Sequence, residues 1–251
     1  MSEPIISTMY NGAVEVKFSE AAHRYWVREK GQDNWVSISG VTTILSKVVP
    51  KNLVQWAADQ AVGVLLPHVG ESLTPEMLEE ARAAHRVVKE EAATIGKQVH
   101  AWVEEFVKSK GESRELPNDE RVLNGVTAFL KWWNETGAEI IESERIVFHP
   151  GFHYIGTMDA YVKIGDKYFV ADWKTSNGLW PEHLLQVAAY ASAFRMETGR
   201  PIDGIIIARF GKDTGEFEEK VVENTTPIEL AFERAVAFSR DLETMKKLMG
   251  K

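Results

Sequence analysis

Residues 155–190 read IGTMDAYVKIGDKYFVADWKTSNGLWPEHLLQVAAY. Two runs rich in β-branched and aromatic residues flank Gly165-Asp166, a dipeptide suited to a two-residue hairpin loop with glycine first. With that loop, Ile164 faces Lys167, Val162 faces Phe169, Ala160 faces Ala171 and Asp159 faces Asp172. Alternation then puts Asp159, Tyr161, Val170, Asp172 and Lys174 on one face of the hairpin. Ala160, Val162, Ile164, Phe169, Ala171 and Trp173 take the other, which reads as a core face. Carboxylates directly opposite each other on paired strands sit roughly 4.5–5.5 Å apart at Cβ and repel. A divalent cation removes the objection, because hard cations take carboxylate oxygens. Lys174 points into the same space. Two acids and a lysine converging on one point suit metal-assisted hydrolysis of a phosphodiester. The plainer alternative is an exposed hairpin with an incidental acid pair and a salt-bridging lysine.

Four short motifs extend the pattern in order along the chain: Gly96-Lys97-Gln98-Val99-His100, Gly156-Thr157-Met158-Asp159, Asp172-Trp173-Lys174 and Gln186-Val187-Ala188-Ala189-Tyr190. Together they resemble the PD-(D/E)XK nuclease superfamily and, within it, the RecB-like exonuclease branch; Met158 stands where the name of the superfamily has proline. Farther upstream, His23-x-Tyr25, Val41-Thr42-Thr43-Ile44-Leu45 and the Lys51, Leu53, Trp56 series are similar to the N-terminal part of phage exonucleases and of the mitochondrial genome maintenance exonuclease. The resemblance implies an α/β fold with a restriction-endonuclease-like core, a mixed central sheet flanked by helices, over residues 74–251. An N-terminal β-hairpin/helix subdomain would span residues 1–73. It implies Mg2+ or Mn2+ held by Asp159, Asp172, the Trp173 carbonyl and His100, with an acid from the preceding strand in support. Lys174 would position the attacking water and stabilise charge on the phosphate, while Gln186 and Tyr190 would orient Lys174 or hold the strand. The expected substrate is DNA with single-stranded or frayed ends, cut exonucleolytically. A recombination or replication protein is an expected kind of partner, in a cytoplasmic, phage-like setting. A reading from another class is a catalytically silent DNA-binding module that kept the fold.

Composition narrows the chemistry. The 251 residues suffice for one large domain with a full core. There are no cysteines, so disulfides, zinc-thiolate sites and the cysteine-ligated iron–sulfur cluster of some RecB-like nucleases are excluded. No run approaches the ~18–20 apolar residues of a membrane span, and MSEPIISTMYNG lacks a signal-peptide pattern. The net charge of −8 disfavours capture of duplex DNA by a large basic surface. It suits a short, locally positive passage, for which Lys47, Lys51, Trp56 and Lys97 are the candidates, with Trp56 stacking on unpaired bases.

The remaining chain divides into alternating and helical stretches. Residues 13–39 alternate and read as short strands turning at Lys30-Gly31-Gln32-Asp33. Thr74-Pro75-Glu76 opens a helix whose apolar series Val88, Ala92, Ile95, Val99, Trp102, Phe106 runs to about Val107, with His100 flanking the stripe. Residues 119–136 form a second helix with Val122, Val126, Phe129, Leu130 and Trp133 inward. Residues 139–148 read as a strand turning at His149-Pro150-Gly151. A Pro150-Gly151 loop would put Glu142 opposite Asp159 and Glu144 diagonal to it, whereas the family spacing favours Glu144. A helix from Pro181 to about Glu197 carries Gln186 and Tyr190 on one face. Residues 202–210 are a buried strand, and Thr226-Pro227-Ile228-Glu229 reads as a capping box before the last helix.

Overall fold

A computed structural model describes residues 5–19, 22, 24–50, 53–112 and 115–250. The elements in chain order are β1 (Ile5–Met9), β2 (Val14–Ser19), β3 (Arg24–Glu29), β4 (Val36–Gly40), α1 (Val41–Val48), α2 (Val54–Leu65), α3 (Pro75–Lys108), α4 (Glu120–Thr136), β5 (Glu139–His149), β6 (Tyr154–Ile164), β7 (Lys167–Lys174), α5 (Pro181–Thr198), β8 (Gly204–Phe210), β9 (Phe217–Val222) and α6 (Thr226–Leu248). Among the described residues nine strands form one mixed sheet with helices packed on it.

The hairpin of β6 and β7 has the register that its turn demands. Ile164 pairs with Lys167, Val162 with Phe169 and Ala160 with Ala171, and Gly165 has φ 59°. Both faces are buried. Ala160, Val162, Phe169, Ala171 and Trp173 pack with Val99, Trp102 and Phe106 of α3 and Val126, Phe129 and Trp132 of α4. Met158, Tyr161 and Val170 pack instead with Val187, Tyr190 and Phe194 of α5 and Phe232 and Val236 of α6. Fully burying one such large apolar side chain contributes ~1.5–3 kcal/mol. In α4 the deepest tryptophan is Trp132, fully buried, with Trp133 only partly so. The helical period alone placed Trp133 inward. The ring of Trp132 lies 5.0 Å from that of Trp173, so the partner strand selected it.

The helix ends follow local chemistry. Thr74 accepts from the Met77 N–H at 3.4 Å with Pro75 in the first turn. Asp119 accepts from the N–H groups of Arg121 and Val122 at the start of α4. At α6 the capping residue is Thr225, one position earlier than the sequence pattern suggests. Its hydroxyl donates to Glu229, four residues on.

Three strands pair with β6, and their arrangement makes the site. β5 lies along it antiparallel, from Glu139↔Lys163 to His149↔Tyr154. β7 pairs with its C-terminal half, and β4 pairs in parallel at Ser39↔Tyr154 and Gly40↔Ile155. Since β5 fills one edge of β6 throughout, β4 and β7 share the other edge. They leave residues 156–159 between them without a strand partner on that side. The β4–β6 pairing also joins the strands of residues 1–73 to the sheet of residues 74–251. A third apolar cluster seals the junction, with Met9, Val16, Tyr25, Val27, Ile38, Phe148 and Ile155.

The β5–β6 turn differs from the sequence expectation. The ladder closes at His149↔Tyr154, so the loop has four residues, Pro150 to His153, rather than Pro150-Gly151 alone. The register moves by two. Glu142 pairs with Tyr161, and Glu144, between Ser143↔Ala160 and Arg145↔Met158, stands opposite Asp159. Pro-Gly suits a type II turn, whose twist does not match a two-residue hairpin. His153 supplies the extra bend at φ 46°.

Candidate active site

The gap on β6 collects groups from four elements besides β6 itself. The β6–β7 ladder ends at Ala160↔Ala171, one residue short of the expected Asp159–Asp172 pair. Beyond it the strands part, and the Trp173 backbone N–H donates to Asp159 Oδ2 at 2.6 Å. The Trp173 ring is held by Trp132 and Phe210 on the α4 side, which leaves Asp172 and Lys174 directed toward α5. Asp172 is fully buried. Its Oδ2 forms an ion pair with Lys174 Nζ at 2.5 Å, and its Oδ1 accepts from Gln186 Nε2 at 3.2 Å. Gln186 Oε1 accepts from Lys174 at 3.2 Å, and its Nε2 also donates to the Tyr190 hydroxyl at 3.0 Å. The amide thus fixes the acid, the lysine and the tyrosine together.

On the opposite side α3 brings His100. Its Nδ1 lies 3.8 Å from Glu144 Oε1 and 3.9 Å from Asp159 Oδ1. One ligand atom from each of His100, Glu144 and Asp159 falls within 4.8 Å of the others. Glu144 reaches this position through a backbone distortion, φ 50° within β5. A non-glycine residue there is strained by roughly 1–3 kcal/mol, and such residues gather at functional sites. Gly96, one turn before His100, faces the Thr175 hydroxyl, which would lie 2.9 Å from an added Cβ. The close neighbour is therefore a side chain of the loop after Lys174.

Burial and neighbouring charges shift the titrating groups of the site. Burial raises Asp172 to about 6, with Asp159 adding to the rise and Lys174 opposing it. Asp159 is also raised by burial, against the pull of His100 and Lys174. Burial works against a charged His100, but Asp159 and Glu144 outweigh it and lift the imidazole to about 9. One imidazole nitrogen and two carboxylates this close fit a divalent cation.

A cleft of about 430 Å³ opens on the gap. Its lining includes Phe18, Tyr25, Thr42, Glu104, Glu144, Thr157 and Tyr190. The Tyr25 hydroxyl is 3.0 Å from Thr157 Oγ1, and Phe18 stacks on Tyr25 at 4.5 Å. A second cleft of about 240 Å³ is lined by Thr42, Lys174, Glu182 and Gln186 among others. Tyr25, Thr42 and Thr157 did not stand out as site residues in the sequence. They meet only because β4 pairs with β6, and no local pattern signals that contact.

The proposed strand-guiding residues are dispersed. Lys47 pairs with Glu243 of α6 at 3.3 Å. Trp56 is half-buried on α2, a helix with no buried residue, and is absent from both clefts. Lys97 is exposed on α3 three residues before His100. Lys51 and His23 lie outside the described residues. Glu142 is bound to Arg145 at 2.5 Å and to Arg200, away from the His100 group.

No protein-family profile matches the chain, and no curated protein matches its sequence. Among solved structures, an alkaline exonuclease (LHK-Exo) from Laribacter hongkongensis aligns over 78% of this chain and 95% of its own, at 13% identity and TM-score 0.37. LHK-Exo in complex with dAMP aligns over 85% and 93%, at 12% identity and TM-score 0.39. Likeness at this level bears on neither site nor substrate. No helix among the described residues is long and apolar enough to cross a membrane.

Proposed function

We propose that the chain is a metal-dependent DNA nuclease of the PD-(D/E)XK kind, hydrolysing phosphodiesters from free single-stranded or frayed ends. The observation that carries this reading is the His100, Glu144, Asp159 group beside the Lys174–Asp172–Gln186–Tyr190 network, at a gap in the sheet. His100, Glu144 and Asp159 would hold Mg2+ or Mn2+, with Asp172 and the Trp173 carbonyl as further oxygen donors. When bound, the ion would supply charge neutralisation at the phosphate and a water of lowered pKa. Lys174 would orient the attacking water and offset charge developing on the scissile phosphate. Gln186 holds the ammonium in place, since its amide is oriented by three bonds at once. Tyr190 accepts from Gln186, so its own proton is free to meet a phosphate or sugar oxygen in the cleft.

The test uses end-labelled linear single-stranded DNA, its covalently closed circle, and duplex DNA, each with Mn2+ and with EDTA. Cleavage of the linear strand is expected with Mn2+ alone, and the circle should resist. Asp159→Asn and Lys174→Ala should both abolish cleavage, but only Asp159→Asn should weaken Mn2+ binding by calorimetry. Cutting in EDTA, or wild-type turnover in either variant, would remove the site from the reaction. Equal cutting of circle and linear strand would make the enzyme an endonuclease.

A further inference from the structure

The strands β1 to β4 have two faces of different character. The inner face carries Val16, Tyr25, Val27 and Ile38 into the cluster with Phe148 and Ile155. Tyr25 there reaches the cleft beside Glu144. The outer face should, on simple patterning, be uniformly polar. Instead β3 places Arg24, Trp26 and Arg28 outward at every second residue, with exposed Lys30 next. Trp26 pairs with Lys17 on one side and Ser37 on the other. Lys17 Nζ lies 4.9 Å from the Trp26 ring and 4.8 Å from the Trp35 ring, and Arg28 lies 4.6 Å from Trp35. Arg28 is ion-paired with Glu15 at 2.5 Å. No carboxylate pairs with Lys17, Arg24 or Lys30 among the described residues. On a chain of net charge −8, this face concentrates cations around two half-buried indoles.

We propose that this outer face is a second contact for single-stranded DNA, with Trp26 and Trp35 as stacking surfaces and Lys17, Arg24 and Lys30 as phosphate partners. The inference rests on the DNA reading above. The cations match a polyanion, and the indoles match unpaired bases, which stack on aromatic rings without regard to sequence. Alternate residues along β3 repeat every ~6.4–6.8 Å, so cation, indole and cation follow one another along an extended strand. The core does not need these tryptophans, since the inner face is already filled. Tyr25 and Trp26 are neighbours on opposite faces of one strand. A short oligonucleotide in the cleft therefore cannot reach the platform, whereas a long one can pass around the sheet to it.

The measurement is fluorescence anisotropy of labelled oligo-dT of about 6 and about 30 nucleotides, near the lower end of single-strand site sizes of ~4–16 and well above them. It is done in EDTA so that no strand is cut. Trp26→Ala with Trp35→Ala should weaken binding of the long strand roughly tenfold and leave the short one within about twofold. Trp26→Phe with Trp35→Phe should recover most of the loss. Lys17→Gln with Arg24→Gln should lower the salt-dependence slope for the long strand by roughly 1–1.5. Circular dichroism establishes that each variant is folded; should the alanine pair fail to fold, the glutamine pair still decides. Unchanged affinity and slope for the long strand would overturn the platform and leave this face to protein contacts. A wild type that binds long strands but never cuts them would instead defeat the nuclease reading alone.

Discussion

Glu144 shows how one residue can be placed against its own preference. A strand residue should not sit at φ 50°, yet this turn lets the carboxylate approach His100 and Asp159. Asparagine tolerates that conformation better and carries no charge beside Asp159. Glu144→Asn is therefore expected to leave stability in denaturant titrations within about 1 kcal/mol, the relieved strain offsetting the lost pair with His100, while weakening Mn2+ binding. A less stable variant with unchanged metal affinity would mean that the distortion serves packing and not the site. The choice between Glu142 and Glu144 hinged on a turn that the sequence does not specify. Pro150-Gly151 is a turn signal, but the loop length depends on how Phe148 and Tyr154 seat in two different clusters.

At the scale of elements, the site depends on α5 lying close against β6. Gly156 makes this approach possible, because an added Cβ would stand 2.5 Å from Tyr190 Cε1. Gly156→Ala must push the ring aside, and the ring holds Gln186, which in turn holds Asp172 and Lys174. Overpacking of this kind costs ~1–3 kcal/mol. The expected result is a lower melting temperature together with a loss of kcat that persists well below the melting transition. Normal turnover in the folded variant would show that the Tyr190–Gln186 bond does not position the lysine.

For the whole molecule, the buried acids couple stability to pH and metal. Asp172 titrates at about 6 when folded, above the ~3.9 of an unfolded chain. Between those values the native state holds the extra proton, so this contribution is full below ~3.9 and is lost as pH rises through about 6. His100, lifted to about 9, contributes stability below its unfolded ~6.5 that is lost as pH rises through about 9. A metal ion needs the carboxylates ionised and the imidazole neutral. Saturating Mn2+, at about a hundred times its dissociation constant, should raise the melting temperature at pH 7.5 by roughly 5–10 °C. At pH 5 the gain should be much smaller. An equal shift at both values, by differential scanning fluorimetry against EDTA, would separate metal binding from these acids.

The sequence by itself determined the β6–β7 hairpin, the span of α3, the ends of α4 and α5, and the absence of any thiolate ligand. These are local: a two-residue loop sets a register, a cap ends a helix, and a period of two or 3.6 decides which side is buried. It also named Asp159, Asp172 and Lys174 as candidates through their alternation along the hairpin, and His100, Glu144, Gln186 and Tyr190 through the resemblance of their motifs to a nuclease family. Only the tertiary structure decided that Asp159 and Asp172 leave the ladder, that Asp172 is taken by Lys174 and Gln186, and that Glu144 joins His100 and Asp159. Tertiary structure also dispersed Lys47 and Trp56 and brought Tyr25, Thr42 and Thr157 to the cleft instead. The physical reason is that β4 and β7 compete for one edge of β6. A contact between strands more than a hundred residues apart depends on how whole clusters close, and carries no periodic signature along the chain.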